Sequence, residues 1–117
     1  MKASPEADSL YLDRIVELIQ LIRESLAGVN EGQFLQDRMA GDATALRLGA
    51  IGEASRRLSE DLRTRHPEVE WRKMYGLRNI VAHHYHQLNY RMLWQIATGA
   101  LDRLEVACRD ELSRLDQ

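Results

Sequence analysis

The segment from Arg78 to His86 concentrates the side chains that could do chemistry; it reads Arg-Asn-Ile-Val-Ala-His-His-Tyr-His. A guanidinium is a permanent cation that binds phosphate through paired hydrogen bonds. The imidazole of His83 can accept or donate a proton near neutral pH, and Asn79 and Tyr85 can orient both groups. This combination suits cleavage of a phosphodiester by the 2′-hydroxyl of RNA itself. A base removes the hydroxyl proton, a cation stabilises the pentavalent phosphorus, and no metal is required.

The spacing within this segment limits how one site can form. On an undistorted helix Asn79 and His83 are about 40° apart around the axis, whereas Arg78 and His83 are about 140° apart. Two arrangements bring the guanidinium and the imidazole to one phosphate. Either the helix ends near Ala82 and the next turn brings His83 back, or a second copy of the chain completes the site. Tyr85 aligns with Arg78 only if the helix continues.

The same residues also have ordinary structural interpretations. Arg78 could form a surface ion pair, and His83 could bind a carbonyl group or fill a polar niche in the core. Imidazole is a good ligand for zinc, copper or nickel, so His83, His84 and His86 could hold a metal. No acidic residue lies near them in sequence, so we expect neither a metal site nor a cofactor. Cys108 lies on an apolar helix face and is expected to be a buried thiol.

The distribution of charge favours an anion site in the same region. The chain carries a net charge of −2, but residues 71–101 contain no Asp or Glu. The cations of that window are Arg72, Lys73, Arg78 and Arg91. A basic zone inside an otherwise acidic chain is the electrostatic signature of anion binding. The candidate phosphate-binding residues besides Arg78 are Arg72, Lys73, His84 and His86.

Length and composition indicate a single domain over residues 1–117. The chain has 117 residues, of which 44% are apolar, and this is enough for a core without metal or disulfides. No apolar run approaches the ~18 residues of a membrane span. The N-terminus lacks the pattern of a secretory signal. A single cysteine fits a reducing compartment, so we expect a cytoplasmic protein that does not bind membranes.

Apolar periodicity predicts helices through nearly the whole chain, packed as an all-α, up-and-down bundle of four to five helices. The predicted helices are one capped by Asp8, a short one at Phe34, a long one from a cap at Gly41-Asp42 to His66-Pro67, one over Trp71–Ala82, and one capped by Asn89. Gly49 and Gly52 inside the long helix predict close approach of another backbone, since each costs about 1 kcal/mol relative to alanine. Trp71 and Trp94 are expected in the core.

A motif and a series of landmark residues, in a fixed order along the chain, resemble the HepT-like branch of the HEPN superfamily. The signature is Arg78-x4-His83-x-Tyr85, with Asn79 directly after the arginine. The other landmarks, in chain order, are Phe34-Leu35-Gln36-Asp37, Ile51-Gly52-Glu53-Ala54, Pro67 with Trp71, and Trp94. The resemblance spans most of the chain, from Leu10 to Leu104, and implies a HEPN-like helical fold.

The resemblance also implies a function. Proteins of this family are toxins of toxin–antitoxin pairs and act as metal-independent endoribonucleases on RNA. They form homodimers in which two copies of the motif meet in a cleft. Carried over, Arg78 and His83 are catalytic and Asn79 is supporting. The cognate antitoxin is a minimal nucleotidyltransferase that silences the toxin by transferring AMP to the motif tyrosine, here Tyr85. The added phosphate would compete with RNA for Arg78.

Two other functions stay open at this point. The chain could be a non-catalytic subunit of a nucleotidyltransferase complex, in which Arg78 and His83 bind a nucleotide or the partner. It could also be a structural helical dimer with a degraded site, although the complete set of Arg78, Asn79, His83 and Tyr85 argues against this. Metal-free RNA cleavage by the purified protein separates the first alternative from catalysis.

Overall fold

The computed structural model describes residues 5–84 and 88–116, with backbone alone at 5, 6 and 81–84, and most of these residues are helical. This part of the chain forms seven helices and no strand, which confirms the all-α prediction. The helices are α1 (Pro5–Leu26), α2 (Glu31–Leu35), α3 (Arg38–Arg57), α4 (Glu60–Thr64), α5 (Trp71–His84), α6 (Tyr90–Gly99) and α7 (Asp102–Leu115). None of them combines the length and hydropathy that crossing a bilayer requires.

Helix α3 is the central element of the bundle and contacts α1, α5, α6 and α2. The apolar positions of α1 recur every three or four residues, so they form one face that packs on α3 and α7. Those fully or nearly fully buried are Leu12, Ile15, Ile19, Ile22 and Leu26. Burial of each such side chain contributes about 1.5–3 kcal/mol. The central position of α3 means that both α5 and α6 are positioned against it.

The prediction that Asp8 caps the first helix is wrong, because α1 is already helical from Pro5. Asp8 is buried, and its carboxylate accepts hydrogen bonds from Ser59 N at 2.8 Å and from Ser59 Oγ at 2.7 Å. Ser59 is itself the N-cap of α4. Asp8 therefore supports a helix start 51 residues further along the chain.

The predicted break and cap at Gly41-Asp42 is also wrong, because α3 begins at Arg38 and both residues lie inside it. Asp37 is the N-cap and accepts a hydrogen bond from Ala40 N at 3.1 Å. Gly41 is instead a contact point: a Cβ atom there would lie 2.3 Å from ring atoms of Tyr90. The Tyr90 hydroxyl donates to Asp42 Oδ1 at 2.8 Å. The glycine thus makes room for an aromatic ring rather than ending a helix.

The long predicted helix does not reach His66-Pro67; α3 ends at Arg57. Leu58 has an extended backbone, with φ −66° and ψ 147°, and Ser59 then starts α4 by accepting from Leu62 N. Leu58 and Leu62 are both buried, so the apolar spacing continues through the break. A serine that caps the next turn gives the chain a local alternative to continuous helix.

The last predicted helix is also two helices, although its cap is confirmed. The Asn89 side chain accepts from Met92 N at 3.0 Å and starts α6. Helix α6 ends at Gly99, and α7 begins at Asp102. Gly99 favours a helix end, because glycine weakens a helix by about 1 kcal/mol relative to alanine. Leu101 lies in the bend between α6 and α7 and is buried.

The two tryptophans pack against the core, as predicted, but neither is fully buried. Trp71 Nε1 donates to the His66 carbonyl oxygen at 3.0 Å, which ties the first turn of α5 to the preceding loop. The Trp94 ring lies 5.3 Å from the ring of Phe34, centroid to centroid. Trp94 therefore joins α6 to α2, which are distant in sequence, whereas Trp71 fixes the local turn before α5.

The thiol of Cys108 is buried, as predicted, and burial raises its pKa to about 12. The protonated thiol is a poor nucleophile. We therefore expect native protein to resist a disulfide reagent such as DTNB at neutral pH, whereas the urea-unfolded chain reacts with one equivalent. The absorbance of the released thiolate measures both. Fast, stoichiometric reaction of the native protein would contradict this expectation.

Candidate active site

Close backbone contact at Gly52 holds α5 against α3 at the position of Arg78. A Cβ atom at Gly52 would lie 2.7 Å from Met74 O and 2.8 Å from Arg78 N. Both are backbone atoms, so neither can rotate away. The prediction that Gly52 permits close approach of another backbone is confirmed. The contact fixes the Arg78 backbone relative to α3.

The next residue of α3, Glu53, forms an ion pair with Arg78. Arg78 Nε lies 3.2 Å from Glu53 Oε2, and 51% of the Arg78 side chain stays exposed. The Oε2 atom is buried and accepts no aligned hydrogen bond from the described residues. An ion pair this exposed contributes about 0–1 kcal/mol to stability. Its effect is to orient the guanidinium, and an incoming phosphate can compete for the same cation.

Glu53 also holds a second cation, because its Oε1 accepts from Arg57 Nε at 3.2 Å. Arg57 is as exposed as Arg78, with 60% of its side chain accessible. The sequence interpretation did not assign Glu53 a role in the site. Its position directly after Gly52 is the signal that points to it, because the residue beside a helix–helix contact borders the neighbouring helix.

Arg72 and Lys73, in the first turn of α5, were both predicted to bind phosphate, but they differ in their ion pairs. Lys73 Nζ lies 2.6 Å from Glu70 Oε2 and is therefore already paired. Arg72 is exposed and forms no ion pair with a described residue. Arg72 and Asn79 are seven positions apart, so they share one helix face to within about 20°. Of the two cations, Arg72 is thus the one with no ion-pair partner among the described residues.

Helix α5 continues through His84, so the alternative in which it ends near Ala82 is wrong. Positions 78 and 83 are therefore about 140° apart around the axis, and positions 79 and 83 about 40° apart. The side chains of His83 and His84 lie outside the described residues, as do Tyr85 and His86 entirely. The roles predicted for these four residues stay predictions.

Helix α3 also contacts the chain on the C-terminal side of the Arg78–His86 segment, where Gly41 packs against Tyr90. The hydrogen bond to Asp42 raises the pKa of Tyr90 above its ordinary value. Gly41 and Gly52 are eleven residues apart, about 16 Å along the helix. Both ends of the chain segment between Arg78 and Tyr90 are therefore attached to one rigid helix.

Comparison with known proteins places this geometry in context. A family model described as "Ribonuclease HepT-like" matches residues 15–110. A protein of Methanocaldococcus jannaschii named "Putative RNase MJ1380" is 36% identical over 95 residues, which are 81% of this chain and 87% of that protein. A protein of Thermococcus cleftensis named "Probable ribonuclease HepT" is 36% identical over 85 residues, covering 73% of this chain and 77% of that protein.

More distant similarity extends over more of the chain. "Putative RNase TTE0752" of Caldanaerobacter subterraneus is 28% identical over 104 residues, which are 89% of this chain and 93% of that protein. No solved structure matches significantly. The matched residues include Gly52, Glu53 and the whole segment from Arg78 to His86.

Proposed function

Since the chain belongs to the ribonuclease HepT-like family, we propose that it cleaves RNA without a metal, with Arg78 and His83 as catalytic residues. The observation that carries the proposal is the half-exposed guanidinium of Arg78, oriented by Glu53 and fixed at its backbone by Gly52. A preorganised cation open to solvent on one side is suited to a phosphate ligand. Asn79 lies one turn before position 83 and supports the imidazole by hydrogen bonding.

The proposed reaction is attack by the 2′-hydroxyl of RNA on the adjacent phosphorus. His83 removes the hydroxyl proton, the O2′–P bond forms, and Arg78 stabilises the negative charge of the pentavalent phosphorus. The P–O5′ bond then breaks, and the leaving oxygen takes up a proton. The products are a 2′,3′-cyclic phosphate and a 5′-hydroxyl. A general base contributes about 10²–10⁴-fold to such a reaction.

Arg72 is proposed as a second contact to the RNA backbone. It lies about 9 Å before Arg78 along the axis of α5 and forms no ion pair with a described residue. Phosphate contacts of this kind give affinity that falls as salt concentration rises. His84 and His86 are assigned no more than further phosphate contacts, and Lys73 contributes less because Glu70 already pairs with it.

We propose that the active form is a homodimer, because the register of α5 separates Arg78 from His83 within one chain. A surface on α3 fits such contact. Met39 and Leu46, with 83% and 65% of their surface exposed, are seven residues apart and share one helix face. Ala43 and Ala50 belong to the same face, here called the α3 stripe. Seven residues beyond Leu46 the same face reaches Glu53, so a second copy packed on the stripe lies beside Arg78.

The dimer proposal is tested by Leu46→Glu, which places a charge in the centre of the α3 stripe. We expect light scattering to show monomers and RNA cleavage to fall by at least about tenfold, since a buried unpaired charge strongly destabilises an interface. The matched control is Val106→Glu, because Val106 is 68% exposed and lies on α7. A dimeric, fully active Leu46→Glu variant would rule out the stripe, and a fully active wild-type monomer would rule out the dimer.

The proposed regulatory partner is a minimal nucleotidyltransferase antitoxin that transfers AMP to Tyr85. The support is the family resemblance together with the competition between an AMP phosphate and RNA for Arg78. We expect Tyr85→Phe to cleave RNA but to take up no AMP from the antitoxin, as intact-mass spectrometry would show. The control is Tyr75→Phe, which should still gain one AMP. AMP on any residue other than Tyr85 would refute this assignment.

The proposed nuclease is distinguished from a non-catalytic nucleotide-binding subunit by digestion of RNA in excess chelator. We expect the wild type to cleave and His83→Ala to lose the activity while keeping its helical circular dichroism. Binding of nucleotide by wild type without any cleavage would favour the non-catalytic alternative.

A further inference from the structure

Gly76, in the middle of α5, is a glycine that the packing of the chain does not explain. A Cβ atom there would meet no packed neighbour within 4 Å among the described residues, in contrast to the close contact at Gly52. Glycine weakens a helix relative to alanine, and one reason for its use is the close approach of a ligand to the backbone. The open space at Gly76 is therefore available to a molecule other than this chain.

Gly76 belongs to the solvent face of α5, together with Arg72, Tyr75 and Asn79. These four positions fall within about 100° of one another around the helix axis. Tyr75 is partly buried and the other three residues are exposed. The surface formed by these four residues is here called the α5 track. The opposite face of α5 is buried through Met74, Leu77 and Ile80.

The ring of Tyr75 is held in place by Arg63 of α4. Arg63 Nη1 donates to the Tyr75 hydroxyl, and the guanidinium carbon lies 5.5 Å from the centroid of the ring. Arg63 Nε also donates to the Ser59 carbonyl oxygen at 3.4 Å. Because this cation is attached to the start of α4, the ring is fixed before any ligand binds. Nucleic-acid bases stack on aromatic side chains of this kind.

The charge around the ring favours a polyanion. Neither Arg63 nor Arg72 forms an ion pair with a described residue. Arg78 lies three residues after Tyr75, so the two are neighbours on the helix surface, and its side chain is half exposed. Helix α5 itself contains no acidic residue. A cationic surface with an aromatic side chain is the usual means of binding single-stranded nucleic acid.

We propose that Tyr75 stacks on one base of the RNA, next to the phosphate at Arg78, while the sugar–phosphate backbone crosses α5 at Gly76. The inference rests on the proposed cleavage at Arg78 and adds to it the recognition of an unpaired base. Arg63 and Arg72 contact the flanking phosphates. Stacking tolerates any base, because every base has a π face, so this contact selects unpaired nucleotides rather than a sequence.

The first test is the affinity for a labelled single-stranded RNA, measured by fluorescence anisotropy in chelator with His83→Ala protein, so that the RNA stays intact. We expect the further change Tyr75→Leu to weaken binding about 5–100-fold, the range for loss of one base–aromatic stack. Tyr75→Phe keeps the ring and should restore most of that affinity. The matched control is Tyr11→Leu, which should have no effect on binding. Tyr11 is also partly buried and lies 5.6 Å from the Arg14 guanidinium, but it belongs to α1.

Gly76→Leu tests the crossing point without weakening the fold, because leucine is a better helix former than glycine. We expect a melting temperature no lower than that of the parent protein. RNA binding should weaken by at least about fivefold, because the new side chain holds the strand away from the ring and the stack is lost. The control is Gly99→Leu, at the end of α6, where a Cβ also has no neighbour within 4 Å. This arm decides the question even if Tyr75→Leu does not fold.

Removal of single bases from the RNA separates stacking from a structural role of Tyr75. Among RNAs that each carry one abasic ribose, we expect one to bind about as weakly as intact RNA binds the Tyr75→Leu protein. That same RNA should lose no further affinity for the Tyr75→Leu protein, because the two changes remove one interaction. Equal losses with and without the Tyr75 ring at every abasic position would overturn the proposal.

These measurements also separate the α5 track from the nuclease itself. Unchanged affinity in both Tyr75→Leu and Gly76→Leu overturns the track even if the wild type cleaves RNA. A changed oligomeric state in Gly76→Leu with unchanged RNA affinity also overturns it, because the face then contacts a second protein chain. The expected pattern of binding in a protein that cleaves no RNA supports the track and refutes only the nuclease.

Discussion

Replacing Arg78 by alanine is expected to reduce kcat/KM for RNA cleavage by about 10²–10³-fold, the usual effect of removing one preorganised group that stabilises transition-state charge. The fold should survive, because half of the side chain is exposed and its one ion pair among the described residues is with Glu53. The assay uses a labelled RNA oligonucleotide in excess chelator. Circular dichroism and the melting temperature establish that the variant is folded.

The chain provides a matched control for this substitution. Arg57 also binds Glu53 through its Nε atom at 3.2 Å and is similarly exposed, but it lies on α3. We expect Arg57→Ala to cleave RNA within a few-fold of the wild-type rate. Arg78→Lys keeps the charge but cannot donate two parallel hydrogen bonds, so its activity should lie between those of the wild type and Arg78→Ala. Equal losses in Arg57→Ala and Arg78→Ala would show a general charge effect rather than a site.

Gly52→Ala is expected to lower the free energy of unfolding by about 1–3 kcal/mol or more, as overpacking in a well-packed core does. The added Cβ would meet Met74 O at 2.7 Å and Arg78 N at 2.8 Å. Because both atoms belong to the backbone, α3 and α5 have to separate. Urea unfolding measures the change. The displaced Arg78 should also cleave RNA more slowly at temperatures where the variant is folded.

The control for this substitution is Gly76→Ala, in the middle of α5. A Cβ at Gly76 would have no neighbour within 4 Å. Alanine there should raise the free energy of unfolding by up to about 1 kcal/mol through helix propensity alone. If the two alanine variants changed stability equally, close contact would not be the reason for glycine at position 52.

The sequence predicts those features that depend on neighbours within one turn. Apolar spacing predicts α1 and α5, and an asparagine before an apolar run predicts the start of α6 at Asn89. Gly52 is the instructive case, since its low helix propensity has no local explanation and therefore indicates a partner. The identity of that partner, the backbone from Met74 to Arg78, comes only from the structure.

Features that depend on distant partners could not be predicted in the same way. Asp8 has the residue type of an N-cap, but its carboxylate accepts hydrogen bonds from Ser59, which is the N-cap of α4. Gly41 has the residue type of a break, but it accommodates the ring of Tyr90. The ion pair between Glu53 and Arg78 depends on how α3 packs on α5. In each case the residue type is compatible with a local role and with a long-range contact, and the packing of the helices determines which of the two occurs.

The central claim is that Arg78 stabilises a phosphate attacked by the 2′-hydroxyl of the substrate. The most direct measurement is mass spectrometry of the fragments that wild-type and Arg78→Ala protein produce from one RNA oligonucleotide, and from the DNA of the same sequence, in excess chelator. We expect wild type to leave 2′,3′-cyclic phosphate and 5′-hydroxyl ends on RNA only, and Arg78→Ala to leave almost none. Fragments with 5′-phosphate ends, cleavage of the DNA, or undiminished cleavage by Arg78→Ala would contradict the claim.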